Sequence, residues 1–97
     1  MKILELNLKK KWFDMILSGE KKEEYREIKP YWISRLMDKQ TNFFRKFDAV
    51  RFKNGYSKDA PNFLIEFKDI CIDYGYSGWG ADIGETYFVI KLGNSIK

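Results

Sequence analysis

Lys21, Glu24 and Arg26 stand close together in the run Gly19-Glu20-Lys21-Lys22-Glu23-Glu24-Tyr25-Arg26. An amine, a carboxylate and a guanidinium at this spacing can build a small polar site. On an extended chain Glu24 and Arg26, two apart, share a face. A carboxylate beside a guanidinium forms a paired, charge-assisted hydrogen-bonded unit. Lys21 lies at the turn before the strand, where its flexible amine can reach the same place. Gly19 allows a tight turn and a close backbone approach to a ligand. Together these groups offer donors and an acceptor around a small anionic or polar group. The competing reading is a surface strand with ordinary ion pairs, which contribute little to stability.

The flanking pattern says what must position them. Leu4, Leu6 and Leu8 alternate, as on a half-buried strand. From Lys9 the period changes: Trp12, Phe13, Ile16 and Leu17 fall at helical spacing, and Gly19 can stop the helix in a left-handed conformation. Lys21 to Ile28 reads as a second strand, with Glu23, Tyr25 and Glu27 on one face and Lys22, Glu24, Arg26 and Ile28 on the other. Pro30 suits the first turn of a short helix through Met37. Asp38 to Lys46 is polar and basic around Phe43-Phe44, and reads as a loop or a ragged helical turn. Asp48 to Lys53 alternates again, and Asn54-Gly55 signals a turn. Asn62 to Asp73 is a long strand-like run. Tyr74 to Gly84 holds four of the seven glycines and reads as a loop. Glu85 to Leu92 is expected to close the chain as a final strand.

The order is α+β, with about five strands and two short helices. So many short strands in 97 residues suggest a strongly curved sheet, a small mixed β-barrel in one domain spanning residues 1–97. Aromatics make up 18% of the chain, enough to fill a modest core and leave rings for a binding surface. The net charge of +4 favours an anionic partner such as nucleic acid, though a solubilising surface has the same signature. Arg51 and Lys53 share a strand face and can contact phosphates; simple solvent exposure explains them equally well.

Composition also excludes chemistry. The absence of histidine removes Ser-His and Cys-His catalysis and nearly all Cys/His zinc sites. The one cysteine, Cys71, sits in an apolar run and reads as a small core residue. A lone cysteine, no secretory signal pattern and no apolar run near the 20 or so residues of a membrane span point to a cytoplasmic protein with no membrane partner. Asp59, Asp69, Asp73 and Asp82 lack metal-ligand spacing, so neither metal nor cofactor is indicated. Gly75-Tyr76-Ser77-Gly78-Trp79-Gly80 is glycine-rich but lacks the Lys-Ser/Thr pair of a phosphate loop. Tyr76 and Trp79 within it can stack on a base or simply anchor the loop.

Gly19-x-Lys21-x-x-Glu24-x-Arg26 resembles the G-x-K-x-x-E-x-R signature of ASCH domains, relatives of the PUA fold. The preceding Trp12 to Ser18 looks like the helix these proteins carry before the motif, and Tyr87 to Gly93 like their closing strand. The resemblance implies a small mixed barrel with the motif lining a cleft that binds RNA or a nucleotide. The expected ligand residues are Gly19, Lys21, Glu24, Tyr25, Arg26, Arg51, Lys53 and Trp79. Some small relatives are amidohydrolases acting on N4-acetylcytidine, through the motif Lys, a Thr and a later Glu. Lys21 matches the first, and Glu66 is the best match for the last. Glu24 occupies the Thr position, so the hydroxyl nucleophile is missing. As an enzyme, a nucleoside hydrolase or a ribonuclease, the chain would rely on Lys21, Glu24 and Glu66. Glu66, inside an apolar run, is a candidate carboxyl with a raised pKa; the competing reading is an outward-facing residue on a half-solvated strand. A protein-interaction adaptor is the third alternative.

Overall fold

The computed structural model describes residues 1–96. Its elements follow the order β1 (Ile3–Asn7), α1 (Lys10–Leu17), β2 (Glu23–Glu27), α2 (Pro30–Leu36), β3 (Ala49–Lys53), β4 (Asn62–Tyr74) and β5 (Thr86–Ile96), with a 3-10 turn at Ser77–Trp79. The strands form one mixed sheet in the order β1-β3-β4-β5-β2. β1 runs parallel to β3, and every other pair is antiparallel. The sheet curls into a half-barrel whose edge strands, β1 and β2, are not paired with each other among the described residues.

The curl has a local cause. β4 pairs with β3 through its first half and with β5 along most of its length, and its register to β5 slips twice, between Ile65 and Phe67 and between Phe67 and Asp69. Bulges of this kind bend a strand and strengthen its twist. The concave face then closes on a core that includes Leu4, Leu6, Val50, Phe52, Phe88 and Ile90, all at most 3% exposed. Alternation supplies this face directly: Leu4 and Leu6 from β1, Val50 and Phe52 from β3, Phe88 and Ile90 from β5. α1 adds Phe13 and Ile16, and α2 adds Leu36.

The convex face carries a second, smaller cluster. Tyr25 of β2 lies opposite Val89 of β5, which lies opposite Cys71 of β4. Ala81 from the glycine-rich loop packs on this row, together with Trp79 and Tyr87. The middle of β2 is therefore covered on both sides. Cys71 is only half-buried, at the margin of this cluster.

Two expectations needed adjustment. Asn54-Gly55 does not make a two-residue hairpin; a loop of residues 54–61 joins β3 to β4. Asn7 holds it, donating from Nδ2 to the Gly55 carbonyl at 2.7 Å and accepting the Gly55 N–H at 3.1 Å. The final strand does not stop at Leu92 but runs to Ile96, because Ser95 and Ile96 pair with Ile65 and Leu64 beyond the bulges. That pairing is non-local, and the polar Asn94-Ser95 step hides it in the sequence. Among the described residues no helix is long and apolar enough to cross a membrane.

Leu36 is fully buried and is the one buried residue of α2. Leu36→Ala is expected to destabilise the protein by about 2–5 kcal/mol, the usual cost of a large-to-small core change. Urea unfolding measures it; a loss below about 1 kcal/mol would mean that α2 is not anchored to the core through this side chain.

Candidate functional site

The turn after α1 delivers Lys21. Ser18 N–H donates to the Asp14 carbonyl and Gly19 N–H to that of Ile16, each at 3.0 Å. Gly19 takes φ +87, a left-handed geometry that costs glycine nothing. The chain then folds back under the helix it has just left, and Lys21 N–H donates to the Met15 carbonyl at 2.9 Å. The Lys21 side chain is only 2% exposed. Its Nζ donates to Glu24 Oε1 and lies 4.9 Å from the Trp12 ring centre and 5.6 Å from that of Tyr25.

Glu24 and Arg26 lie on the concave side of β2, opposite the core residues Ile90 and Phe88. Glu24, 4% exposed, uses its second oxygen to accept from Arg26 Nη1. Arg26 Nη1 also donates to the Tyr25 carbonyl at 3.1 Å, and Nη2 donates to the Asn7 carbonyl at 3.0 Å. Arg26 thus bridges the seam between the two unpaired edge strands. Its Nε is buried and, among the described residues, has no hydrogen-bond partner. The guanidinium lies 5.0 Å from the centre of the Trp32 ring.

Two cations share one carboxylate, so the cluster holds one surplus positive charge in a poorly solvated place. Surplus buried charge is costly unless something pairs with it. The Lys21 amine registers this cost. Burial lowers its pKa below the ordinary 10.5; attraction and hydrogen bonding to Glu24 oppose the shift, and the nearby Arg26 charge adds to it. Tyr25 is displaced the other way. Burial raises its phenol, the Glu23 carboxylate beside it adds to the effect, and the Tyr76 N–H opposes it. Its hydroxyl donates to Glu23 at 2.8 Å and accepts the Tyr76 N–H at 2.9 Å. A neutral phenol can do both at once, so Tyr25 ties the start of the glycine-rich loop to β2.

A cleft of about 260 Å³ opens over this cluster, walled by Trp12, Lys21, Glu24, Tyr25, Arg26 and Trp79. That is slightly below the range of about 300–1,000 Å³ typical of small-molecule sites, and suits one ring system with its polar edge. The loop makes one wall by close approach. Gly80 takes φ +103, and a Cβ there would stand 3.0 Å from the Trp12 indole. The Tyr76 and Trp79 rings meet edge to face, with centroids 5.1 Å apart.

The structure brings Lys21, Glu24, Tyr25, Arg26 and Trp79 together around this cleft. Gly19 is exposed at the turn and acts through the backbone it bends, not as a lining residue. Lys53 lies on an adjoining groove. Arg51 is turned elsewhere, donating to Asn62 Oδ1 at 3.2 Å and lying 3.6 Å from the Glu5 carboxylate. Glu66 is not a buried carboxylate. It is exposed on β4, opposite Ala49 and against Gly93, and does not line the cleft. The apolar run around it left burial and outward exposure both open, and β4, which turns alternate residues inward before its bulges, gives Glu66 the exposed side. Trp12, Trp32 and Asn7 were absent from the expected site. Trp12 falls at helical spacing and Trp32 lies in a short helix, and neither pattern by itself points to a site; a tryptophan flanking a charged motif on either side was the available signal.

The direction of the Lys21 shift fixes a pH dependence. Between its lowered folded value and 10.5 the unfolded chain binds more protons than the folded one, so this group makes stability rise with pH across that window. Lys21→Met is expected to abolish that rise. Glu24→Gln removes the carboxylate that favours the charged amine, and should move the start of the window to lower pH. Denaturant unfolding at steps between about pH 7 and about pH 10 measures both. A wild-type minus Lys21→Met difference that does not change with pH would show that Lys21 titrates normally.

No family model, curated protein or solved structure matches this chain, so the geometry of the cleft carries the functional argument.

Proposed function

We propose that this protein is an ASCH-like, PUA-like domain that binds RNA or a nucleotide in the cleft over Lys21, Glu24 and Arg26. One observation carries the reading: a buried cluster of two cations on one carboxylate, Lys21 and Arg26 on Glu24, lines an aromatic-walled cleft. Both oxygens of Glu24 are already engaged, so the cluster offers donors more readily than acceptors. A base edge rich in carbonyl or ring-nitrogen acceptors, or a phosphate, answers that need. Trp12, Tyr25 and Trp79 supply ring faces and edges of the kind that pack against unstacked bases. The G-x-K-x-x-E-x-R resemblance points the same way.

Trp12, Trp32 and Trp79 are all the tryptophans of the chain, and each lines the cleft or an adjoining groove, so indole fluorescence reports directly on occupancy. Titration with a short single-stranded RNA should quench it, with affinity falling as salt rises. Trp79→Ala is expected to weaken binding roughly 5- to 150-fold, the loss of about 1–3 kcal/mol of stacking. Arg26→Ala should weaken it as well, at concentrations of protein shown by circular dichroism to be folded. Affinity unchanged in both variants rejects the reading.

One observation favours a second reading, hydrolysis of a modified nucleoside or of RNA. The lowered pKa of Lys21 leaves more of its amine neutral near physiological pH than in an ordinary lysine, and so free to accept a proton. The exposed position of Glu66 counts against a triad of the amidohydrolase kind. Incubation with N4-acetylcytidine and with RNA tests this: turnover that Lys21→Met abolishes supports it, and absence of turnover on both substrates eliminates it.

A further inference from the structure

Arg26 stands where three hollows meet. One is the cleft. The second, about 550 Å³, lies between the end of β1, α2 and the 54–61 loop, and shares Asn7 and Arg26 with the cleft. The third, about 800 Å³, runs below residues 80–87 and shares Tyr25, Arg26 and Gly80 with it. A chain ligand seated in the cleft can leave by either.

Charge separates the two routes. The second hollow is lined by Arg26, Arg35 and Lys53 against the single carboxylate of Glu5, which faces Arg51 at 3.6 Å. Among the described residues neither Arg35 nor Lys53 is ion-paired. The third hollow sets Glu27, Asp82 and Glu85 against Arg26 alone. A phosphodiester chain is attracted to the first of these surfaces and repelled by the second.

Aromatic placement agrees. The Arg35 guanidinium lies over the rings of Tyr31 and Trp32, at 5.6 and 5.9 Å from their centres, and Arg26 lies over Trp32 as well. Tyr56 is 92% exposed, yet it follows Gly55, which a reciprocal pair of hydrogen bonds with the Asn7 side chain holds in place. An exposed ring on an anchored backbone beside unpaired cations forms a stacking platform next to phosphate-binding groups.

We propose that single-stranded RNA bound in the cleft continues along this basic groove, with a flanking phosphate between Arg35 and Lys53 and the neighbouring base against Tyr56. The acidic hollow stays empty of the strand. The proposal rests on the nucleotide-binding reading above, and names the strand's path rather than the seat of its bound base.

The test compares nucleoside monophosphates with an RNA oligomer of about six nucleotides, within the span that small single-strand-binding domains cover. Arg35→Glu with Lys53→Glu should weaken the oligomer about tenfold or more and flatten its salt dependence by about 0.7 in log-log slope per lost phosphate contact. Monophosphate affinity should fall far less than that of the oligomer. Tyr56→Ala should weaken the oligomer alone, and Asp82→Asn with Glu85→Gln should leave it unchanged or tighten it. If the monophosphates bind and the oligomer ignores the Arg35 and Lys53 reversals, the path is overturned while the cleft reading stands. Oligomer binding that depends on Asp82 and Glu85 instead also overturns the path. If wild-type protein binds neither ligand, both the path and the cleft reading fall.

Discussion

A single buried carboxylate, Glu24, holds two cations at the seam of an open barrel. Lys21 reaches it from the turn after α1, and Arg26 reaches it from two residues along β2. Removing the carboxylate would leave two charges with no counterion in a place that water barely enters, which is among the most expensive defects a small domain can contain. The same sharing prevents full neutralisation. One positive charge remains unmatched, and burial, the largest cause, with the Arg26 charge beside it, holds the Lys21 pKa below its ordinary value against the pull of Glu24.

The seam depends on this cluster as much as the cluster depends on the seam. A sheet of five strands with two unpaired edges exposes backbone donors and acceptors on β1 and β2. Arg26 closes part of that gap with a side chain, donating to the Asn7 carbonyl on the opposite edge. Asn7 in turn holds the 54–61 loop. On the other side of β2, the Tyr25 hydroxyl holds the glycine-rich loop that brings Trp79 to the cleft. The two walls of the site are therefore both tied to strand ends through polar side chains. The hydrophobic core beneath sets the curvature, and these few hydrogen bonds set the rim.

In the proposed reading, stability and ligand recognition share one physical quantity. The surplus charge that costs the folded chain free energy is also what an anionic or acceptor-rich group would pair with. A ligand bound only by the folded state would return some of that cost as stabilisation. Cation–π contacts moderate it in the meantime, since Trp12 and Tyr25 lie beside Lys21 and Trp32 beside Arg26. The aromatic residues around the site thus stabilise the cluster, and in the proposed reading they also offer surfaces for a base.

Much of the architecture was legible in the chain itself. Leu4, Leu6 and Leu8 alternate because one face of β1 is buried, the spacing of Phe13 and Ile16 is helical because α1 packs on one side, and Gly19 and Pro30 punctuate as local sterics require. Glu24 and Arg26 share a face for the same elementary reason. These are properties of neighbours in sequence, where backbone geometry alone decides. What depended on distant contacts was not legible. Glu66 lies in an apolar run, yet the alternation of β4 and its bulges against β5 leave it exposed. Ser95 and Ile96 extend β5 because Ile65 and Leu64 are there to receive them. Trp12, Trp32 and Asn7 reach the site because a curved sheet brings α1, α2 and the end of β1 to one seam. The charge types and their shared face were set by the sequence; their burial, the shared carboxylate and the surplus charge follow only from tertiary structure, since desolvation exists only once the chain has closed around them.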